Sequence, residues 1–176
     1  MAPKYQKIDA WKLREGLRCP ICITTNGYVT HDGKCVMGRG IAKQASERYP
    51  ELAKALGTAI KKNGNVCQPI KIPGKKAGVI AFPVKPGSKL CNSKDEVVSH
   101  MRNRIKVGDL IPGWACLANL ELIRTSCIQL NELLDEYNLE KVILNFPGIG
   151  AGFLDPKDVK KILDELLDER VVVVYK

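Results

Sequence analysis

Apolar residues recur along this chain in two rhythms, and the places where one gives way to the other outline the fold. "CPICITT", Cys19 to Thr25, is a short apolar run rich in β-formers and closed by Asn26-Gly27, which predicts a buried strand. From Gly40 onward, Ile41, Ala42, Ala45 and Tyr49 return at roughly helical spacing. Pro50 then opens a second helical run, "PELAKALGTAIKK", at a first-turn position where proline is tolerated. "VCQPIKI" and "AGVIAFPV" flank "PGKKAG" and predict a β-hairpin whose second strand is the more buried. Leu117, Leu120, Ile123, Cys127, Leu130 and Leu134 lie three and four apart and predict a long helix. "KVILNFPGIGAG" is a strand running into a Gly-rich turn. Asp155-Pro156-Lys157-Asp158 reads as an N-cap, a proline in the first position and an acidic third position, opening a helix to about Glu169. "RVVVVYK" closes the chain as a buried strand. Pro86 to Pro112 has no clear period and offers at most one short helix around Lys94–Arg104. Strands alternate with helices, so the fold class is α/β with a largely parallel central sheet.

Composition leaves this picture intact. The 176 residues suit one domain, and 45% hydrophobic with 27% charged residues is ordinary for a soluble globular protein. No apolar stretch reaches the ~20 residues of a membrane helix. The start, "MAPKYQKIDAWK", has no apolar region of a secretory signal, so a cytoplasmic protein without membrane attachment is expected. Seven scattered cysteines argue against a disulfide framework. Cys19 and Cys22 form a CxxC, but residues three apart on a strand point to opposite faces, so buried free thiols are expected and no metal site. The net charge of +9 changes the picture more, because it attracts anions: phosphates or nucleic acid. Lys and Arg are spread along the chain with no aromatic-interleaved basic run, so nucleic-acid contact stays open.

The candidate chemistry lies in two glycine loops. Gly38-Arg39-Gly40 and Gly148-Ile149-Gly150-Ala151-Gly152 each stand where a strand hands over to a helix, the place where open α/β sheets bind ligands. Glycines let backbone N–H groups approach an anion, and the helix N-terminus that follows favours phosphate. Two such loops in one chain point to a diphosphate cradle. There is no GxxxxGK[ST], and no GxGxxG follows the first strand, so the common nucleotide motifs do not apply.

"Asn26 … Val36-Met37-Gly38-Arg39-Gly40-Ile41-Ala42", followed by a helix ending "RYP", resembles the first ligand loop of macrodomains, the ADP-ribose-binding fold. "VILNFPGIGAGFLDPKDVKKILDELLDERVVVVYK" resembles their second ligand loop, last long helix and closing strand. "AFPVK", Ala81 to Lys85, is similar to the strand end that precedes a lysine in the branch reversing ADP-ribosylation of DNA or glutamate. The resemblance leaves Pro86 to Pro112 uncovered. It implies a single three-layer α/β/α macrodomain over residues 1–176, with a mixed, largely parallel sheet. It places Gly38, Gly40 and Ile41 at the distal ribose and diphosphate, and Gly148, Ile149, Gly150, Ala151, Gly152 and Phe153 over the phosphates. Asn26 would approach the distal ribose, Tyr175 would stack on adenine, and Asp9 would bond the adenine amino group. Stacking on an aromatic is worth about 1–3 kcal/mol per base in related settings. A half-buried strand-end residue is the alternative for Tyr175.

For catalysis the resemblance implies Lys85 at the anomeric carbon, and a lysine is a nucleophile only when neutral. Its alternative is a surface turn before Pro86. No acidic residue occurs in "PGIGAGF", and Asp155 is better read as a helix cap. Between Asn26 and Gly38 the first loop carries extra residues, including His31 and Asp32. They are either a general base with its orienting carboxylate or a solvated "THDGK" turn. The expected function is ADP-ribose binding with hydrolysis of ADP-ribosyl adducts from DNA or protein. An ADP-ribose-1''-phosphate phosphatase and a non-catalytic binding module are the alternatives. No cofactor is expected, the partners being ADP-ribose or an ADP-ribosylated macromolecule, and the chain is expected to be a monomer.

Overall fold

The computed structural model describes residues 1–76 and 78–176. Its elements in chain order begin with β1 (Lys4–Lys7), α1 (Ala10–Leu17), β2 (Ile21–Thr25), α2 (Gly40–Arg48) and α3 (Leu52–Asn63). They continue with β3 (Gln68–Ile70), β4 (Val79–Pro83), β5 (Ser88–Leu90), β6 (Leu110–Pro112), α4 (Leu120–Glu136), β7 (Val142–Asn145), α5 (Pro156–Leu166) and β8 (Val171–Tyr175). Six strands make one sheet in the order β1-β8-β7-β2-β4-β3. All neighbours are parallel except the edge strand β3, which pairs antiparallel with β4, Pro69 opposite Ile80.

The period-two alternation of the strands sorts the core into two layers. Ile21 and Ile23 of β2, Val79 and Ala81 of β4, and Val172 and Val174 of β8 meet Trp11, Ile41, Ala45, Leu52 and Leu56 from α1, α2 and α3. The intervening residues Cys22, Ile80, Phe82, Val171 and Val173 turn to the other face. There they meet Ile123, Cys127, Leu130 and Leu134 of α4 and Val159, Ile162 and Leu163 of α5. Cys22 accordingly lies in the second layer, while Cys19 packs against the first, and all seven cysteines are free thiols. The architecture is α/β, as the alternation of periods predicts, and three layers deep, as the family resemblance implies.

The structure differs from the pattern at several boundaries. Pro50 lies in the turn before α3, whose first helical residue is Leu52. α4 starts at Leu120 because Asn119 caps it, accepting from the Leu122 N–H at 3.0 Å; Leu117 precedes it and packs elsewhere. α5 stops at Leu166, since Leu167 turns extended and is buried. Asp155 caps α5 as its neighbours predict, accepting from Lys157 N–H at 2.9 Å. The hairpin forms, although Ala77, counted in its turn, lies outside the described residues.

The expected helix around Lys94–Arg104 is instead two single 3-10 turns, Lys94–Glu96 and Ser99–Met101. A Ser93–Glu96 capping box starts the first. The β-branched pair Val97-Val98 then ends it by turning inward, Val97 bridging to Cys116 and both residues fully buried. With Cys91, Ile105, Ile111, Ala115 and Cys116 they form a third small core under the β5–β6 hairpin, so residues 86–117 make a lobe of their own. β1, α1 and this hairpin carry no period strong enough to be expected from the sequence.

Candidate functional site

Because the central strands are parallel, their carboxyl ends share one edge of the sheet, and the strand order dictates what stands there. Reading β1-β8-β7-β2-β4, the residues that follow are Asp9, Tyr175, the loop 146–155, the loop 26–39 and Lys85. Four steps of ~4.8 Å spread these over roughly 19 Å. Sequence positions 9, 26–41, 85, 148–153 and 175 are thus brought together on one rim.

The first loop is pinned by its own residues. Asn26, 8% exposed, donates from Nδ2 to the Val36 carbonyl at 2.9 Å and accepts at Oδ1 from Tyr28 N–H at 2.8 Å. Its amide therefore holds both ends of the loop in register. The His31-Asp32 tip is an exposed turn closed by Thr30 and Lys34, and it leans on α3. The Cys35 N–H bonds to the Ala53 carbonyl at 2.9 Å, and Gly57 of α3 sits so close that a Cβ there would lie 2.1 Å from the Gly33 oxygen. Asp32 accepts from the Thr30 hydroxyl, which holds its carboxyl below the usual range. No hydrogen bond joins this carboxylate to His31 among the described residues, so the two are not assembled here as a base and its orienting group.

The loop ends in Gly38-Arg39-Gly40 at the start of α2. Arg39 occupies the N-cap in an extended conformation with no side-chain cap bond. A Cβ on Gly38 or Gly40 would meet nothing within 4 Å. An uncapped helix N-terminus facing open space suits an anion. The Ile41 side chain is buried in the first core layer, so its backbone alone could serve a ligand.

The second loop is built differently at its two ends. Gly148 takes φ +76, and a Cβ there would press within 2.9 Å of Ile123 and Leu154. Gly152 is equally tight, 2.5 Å from the Gly148 carbonyl oxygen. Gly150, between them, faces open space, with Ile149 packed on the second core layer and Ala151 half-buried. Phe153 holds a left-handed φ of +60 with 55% of its surface exposed. A bulky residue in that conformation is strained, and such strain gathers at ligand clamps.

Lys85 is 9% exposed, and its Nζ donates to the Trp114 carbonyl at 3.3 Å. Burial lowers its pKa to about 8; the nearby Cys116 works against this, and the Arg39 guanidinium adds to it. The lobe supplies that burial. Gly113 fits so closely on the Lys85-Pro86-Gly87 segment that a Cβ would lie 1.9 Å from the Pro86 oxygen, and its N–H bonds to Gly87 O at 2.8 Å. His100 of the lobe reaches Arg39 of the first loop, Nδ1 to the guanidinium at 3.4 Å. The Thr25 hydroxyl, at the end of β2 beneath the loop, is buried with no partner among the described residues.

At the other end of the rim, Asp9 caps α1, Oδ1 accepting from Trp11 and Lys12 N–H at 3.0 and 3.2 Å. Lys176 Nζ lies 3.6 Å from Oδ2. Partial burial alone would raise this carboxyl; the two N–H groups and the ammonium outweigh it and hold the pKa low. Tyr175, 39% exposed, ends β8 beside it. Among the described residues no helix is long and apolar enough to cross a membrane, and no cluster of His, Cys, Asp or Glu is placed to hold a metal. The sequence pattern missed Arg39, His100 and the Trp114 carbonyl. The first lies inside a quoted glycine motif, and the "PGW" at Pro112 to Trp114 is the one mark of the close approach that positions the last.

The sequence matches no protein-family model and no curated protein. Solved structures do match in fold. The macrodomain of Mycobacterium tuberculosis DarG superposes with a TM-score of 0.65 at 24% identity, over 99% of this chain and 97% of that one. The macrodomain of Thermus aquaticus DarG gives 0.61 at 19% identity, again over 99% and 97%. Thermosipho africanus DarTG in complex with ADP-ribose gives 0.59 at 13% identity, over 88% of this chain and 37% of that longer one. Sheet order, the three layers and these superpositions agree: the chain has the macrodomain fold.

Proposed function

We propose that residues 1–176 act as one macrodomain that binds ADP-ribose along the carboxyl rim and hydrolyses ADP-ribosyl adducts from a macromolecule, DNA or protein. The observation that carries the catalytic part is Lys85: a buried amine with its pKa drawn down to about 8, on the rim beside the first glycine loop. A neutral lysine near physiological pH has a free lone pair for attack. Its Nζ forms a bond to the anomeric carbon as the bond from that carbon to the macromolecule breaks. The displaced group leaves with a proton, and water then cleaves the lysine adduct to release ADP-ribose. Gly38, Gly40, Gly150 and the start of α2 receive the diphosphate, with Asp9 and Tyr175 at the adenine end and Phe153 over the second loop. A similar fold solved with ADP-ribose supports that ligand.

The proposal is tested with purified protein against ADP-ribosylated DNA, ADP-ribosylated protein and ADP-ribose-1''-phosphate, release being followed by mass. Lys85→Ala is expected to abolish release while ADP-ribose still binds, and borohydride is expected to trap the wild-type adduct as its iminium. If His31 were instead the general base, His31→Ala would lose roughly 10²–10⁴ in rate and nothing would be trapped. Full turnover by Lys85→Ala overturns the lysine assignment. Phosphate release alone makes the protein a phosphatase, and binding without release makes it a reader.

A further inference from the structure

The rim is not the only place where this chain gathers charge. α1 and α2 both start at the carboxyl edge and run back along the same face of the sheet, and a furrow follows the seam between them. Its upper part, about 410 Å³, is bordered by Asp9, Trp11, Gln44, Glu47 and Arg48. Its lower part, about 440 Å³, shares Trp11 and Arg48 and reaches Pro20 and Gly78, the residues just before β2 and β4, at the opposite end of the sheet. Arg14, Arg18, Arg48 and Lys76 line this lower part against a single carboxylate, Glu15. None of the four cations has a carboxylate within ion-pairing reach among the described residues.

The aromatic floor fixes two of these cations in place. The Arg48 guanidinium stands 4.3 Å from the Trp11 ring centre, and that of Arg14 lies 5.7 Å from Trp11 and 5.9 Å from Tyr49. Arg14 also donates to the Tyr49 hydroxyl at 2.8 Å, while Trp11 Nε1 donates to Gln44 at 3.0 Å. An arginine held this way loses less freedom when it binds, and its planar fork matches a phosphate in two hydrogen bonds. Trp11 is itself buried, so the furrow offers no open ring for a base and recognises the backbone.

We propose that this furrow binds a single strand of nucleic acid through its phosphates. Cations without carboxylate partners along an open groove are the recurring arrangement for tracking a single-stranded backbone. The net charge of +9 adds long-range attraction for a polyanion. The four cations belong to the lower part, which shares no residue with the rim; only the upper part reaches Asp9, so the assignment is confined to the lower part and stands whether or not the rim takes ADP-ribose.

The test is a titration of fluorescein-labelled oligothymidylate, read by anisotropy over a series of salt concentrations. Two double variants are compared with wild type: Arg48→Ser with Lys76→Ser in the furrow, and Lys157→Ser with Lys161→Ser on exposed α5, which changes net charge equally. The furrow variant is expected to lose about tenfold or more in affinity, and its log–log salt slope to fall by about 1.4, or ~0.7 per phosphate contact. The α5 variant should keep the wild-type slope. Lys76→Ser alone, which touches no aromatic contact, should show half of that change. Equal losses in both doubles, or no wild-type binding at low salt, overturn the proposal. So does displacement of the strand by saturating ADP-ribose or by oligoglutamate, and so does an equally tight duplex. Calorimetry with ADP-ribose on the same protein reports separately on the rim.

Discussion

Lys85 carries a stability cost that its proposed role requires. Its ordinary pKa of 10.5 falls to about 8 in the folded chain, so between those values the unfolded chain holds more protons and stability rises with pH. Below 8 the folded protein bears the whole cost of a buried ammonium. Lys85→Met should therefore melt higher than wild type at neutral pH, by about 2–4 °C per kcal/mol relieved, and the gain should shrink toward pH 10.5. Calorimetric melts across pH check this, and a constant gap would show that packing and not charge sets the difference. Activity should follow the same ionisation, rising through pH 8 as the free amine appears and reaching a plateau above. The glycines of the first loop separate at this scale too. Gly40 holds φ +57, so Gly40→Val strains the backbone whatever it does to a ligand, whereas Gly38 takes no left-handed φ and its Cβ would enter open space. Gly38→Val should keep the wild-type melting temperature and lose ADP-ribose affinity by at least about tenfold, as a side chain displaces the phosphate from the backbone. Unchanged calorimetric affinity would move the phosphate elsewhere.

At the scale of the element, the first loop is a folded unit whose ends are tied by one amide and whose tip rests on a helix. Asn26→Ala removes both ties, leaving the Tyr28 N–H unpaired and the Val36 carbonyl with only the weak Cys35 thiol donor at 3.8 Å, a cost of about 1–3 kcal/mol in denaturant unfolding. Gly57→Ala should cost a similar ~1–3 kcal/mol by driving the tip off α3. If instead it leaves stability unchanged, the tip is not docked in solution. How much of this was legible follows from what makes a pattern. The glycines, Asn26 and the cap at Asp155 are visible because only certain residues tolerate those backbone states. The docking of Gly33 on Gly57 is invisible, since Gly57 sits in a helical run where nothing but the approach of another backbone explains it. His31 and Asp32 are adjacent in sequence and look like a couple, but the Asp32 carboxylate bonds to Thr30 two residues back and makes no hydrogen bond to His31 among the described residues.

For the whole molecule, the regular layers are legible because every core strand and the helices α2 to α5 bury a face. Lys4–Lys7 buries almost none, and so β1 leaves no trace in the pattern despite its full pairing with β8. The lobe of residues 86–117 is hidden for another reason: its core is assembled from single residues of turns and short strands, with no period to read. Its effect reaches the rim through Gly113, and Gly113→Ala should lift the lobe off Pro86, expose Lys85 and return its pKa toward 10.5, as NMR titration of the lysine would record. The seven thiols supply a way to watch these parts separately. Cys35 sits within the first loop and Cys91 and Cys116 in the lobe, while Cys22, Cys67 and Cys127 lie in the layer under α4; Cys19 alone is partly open. Burial pushes the Cys35 and Cys127 thiols up to about 12, so each is inert until its surroundings open. A thiol reagent added to the native protein would then act as a clock with several hands: Cys19 marks zero, and each later modification, located by mass, dates the opening of one compartment. ADP-ribose seated at the rim should stop the hand at Cys35 while the central three keep wild-type time.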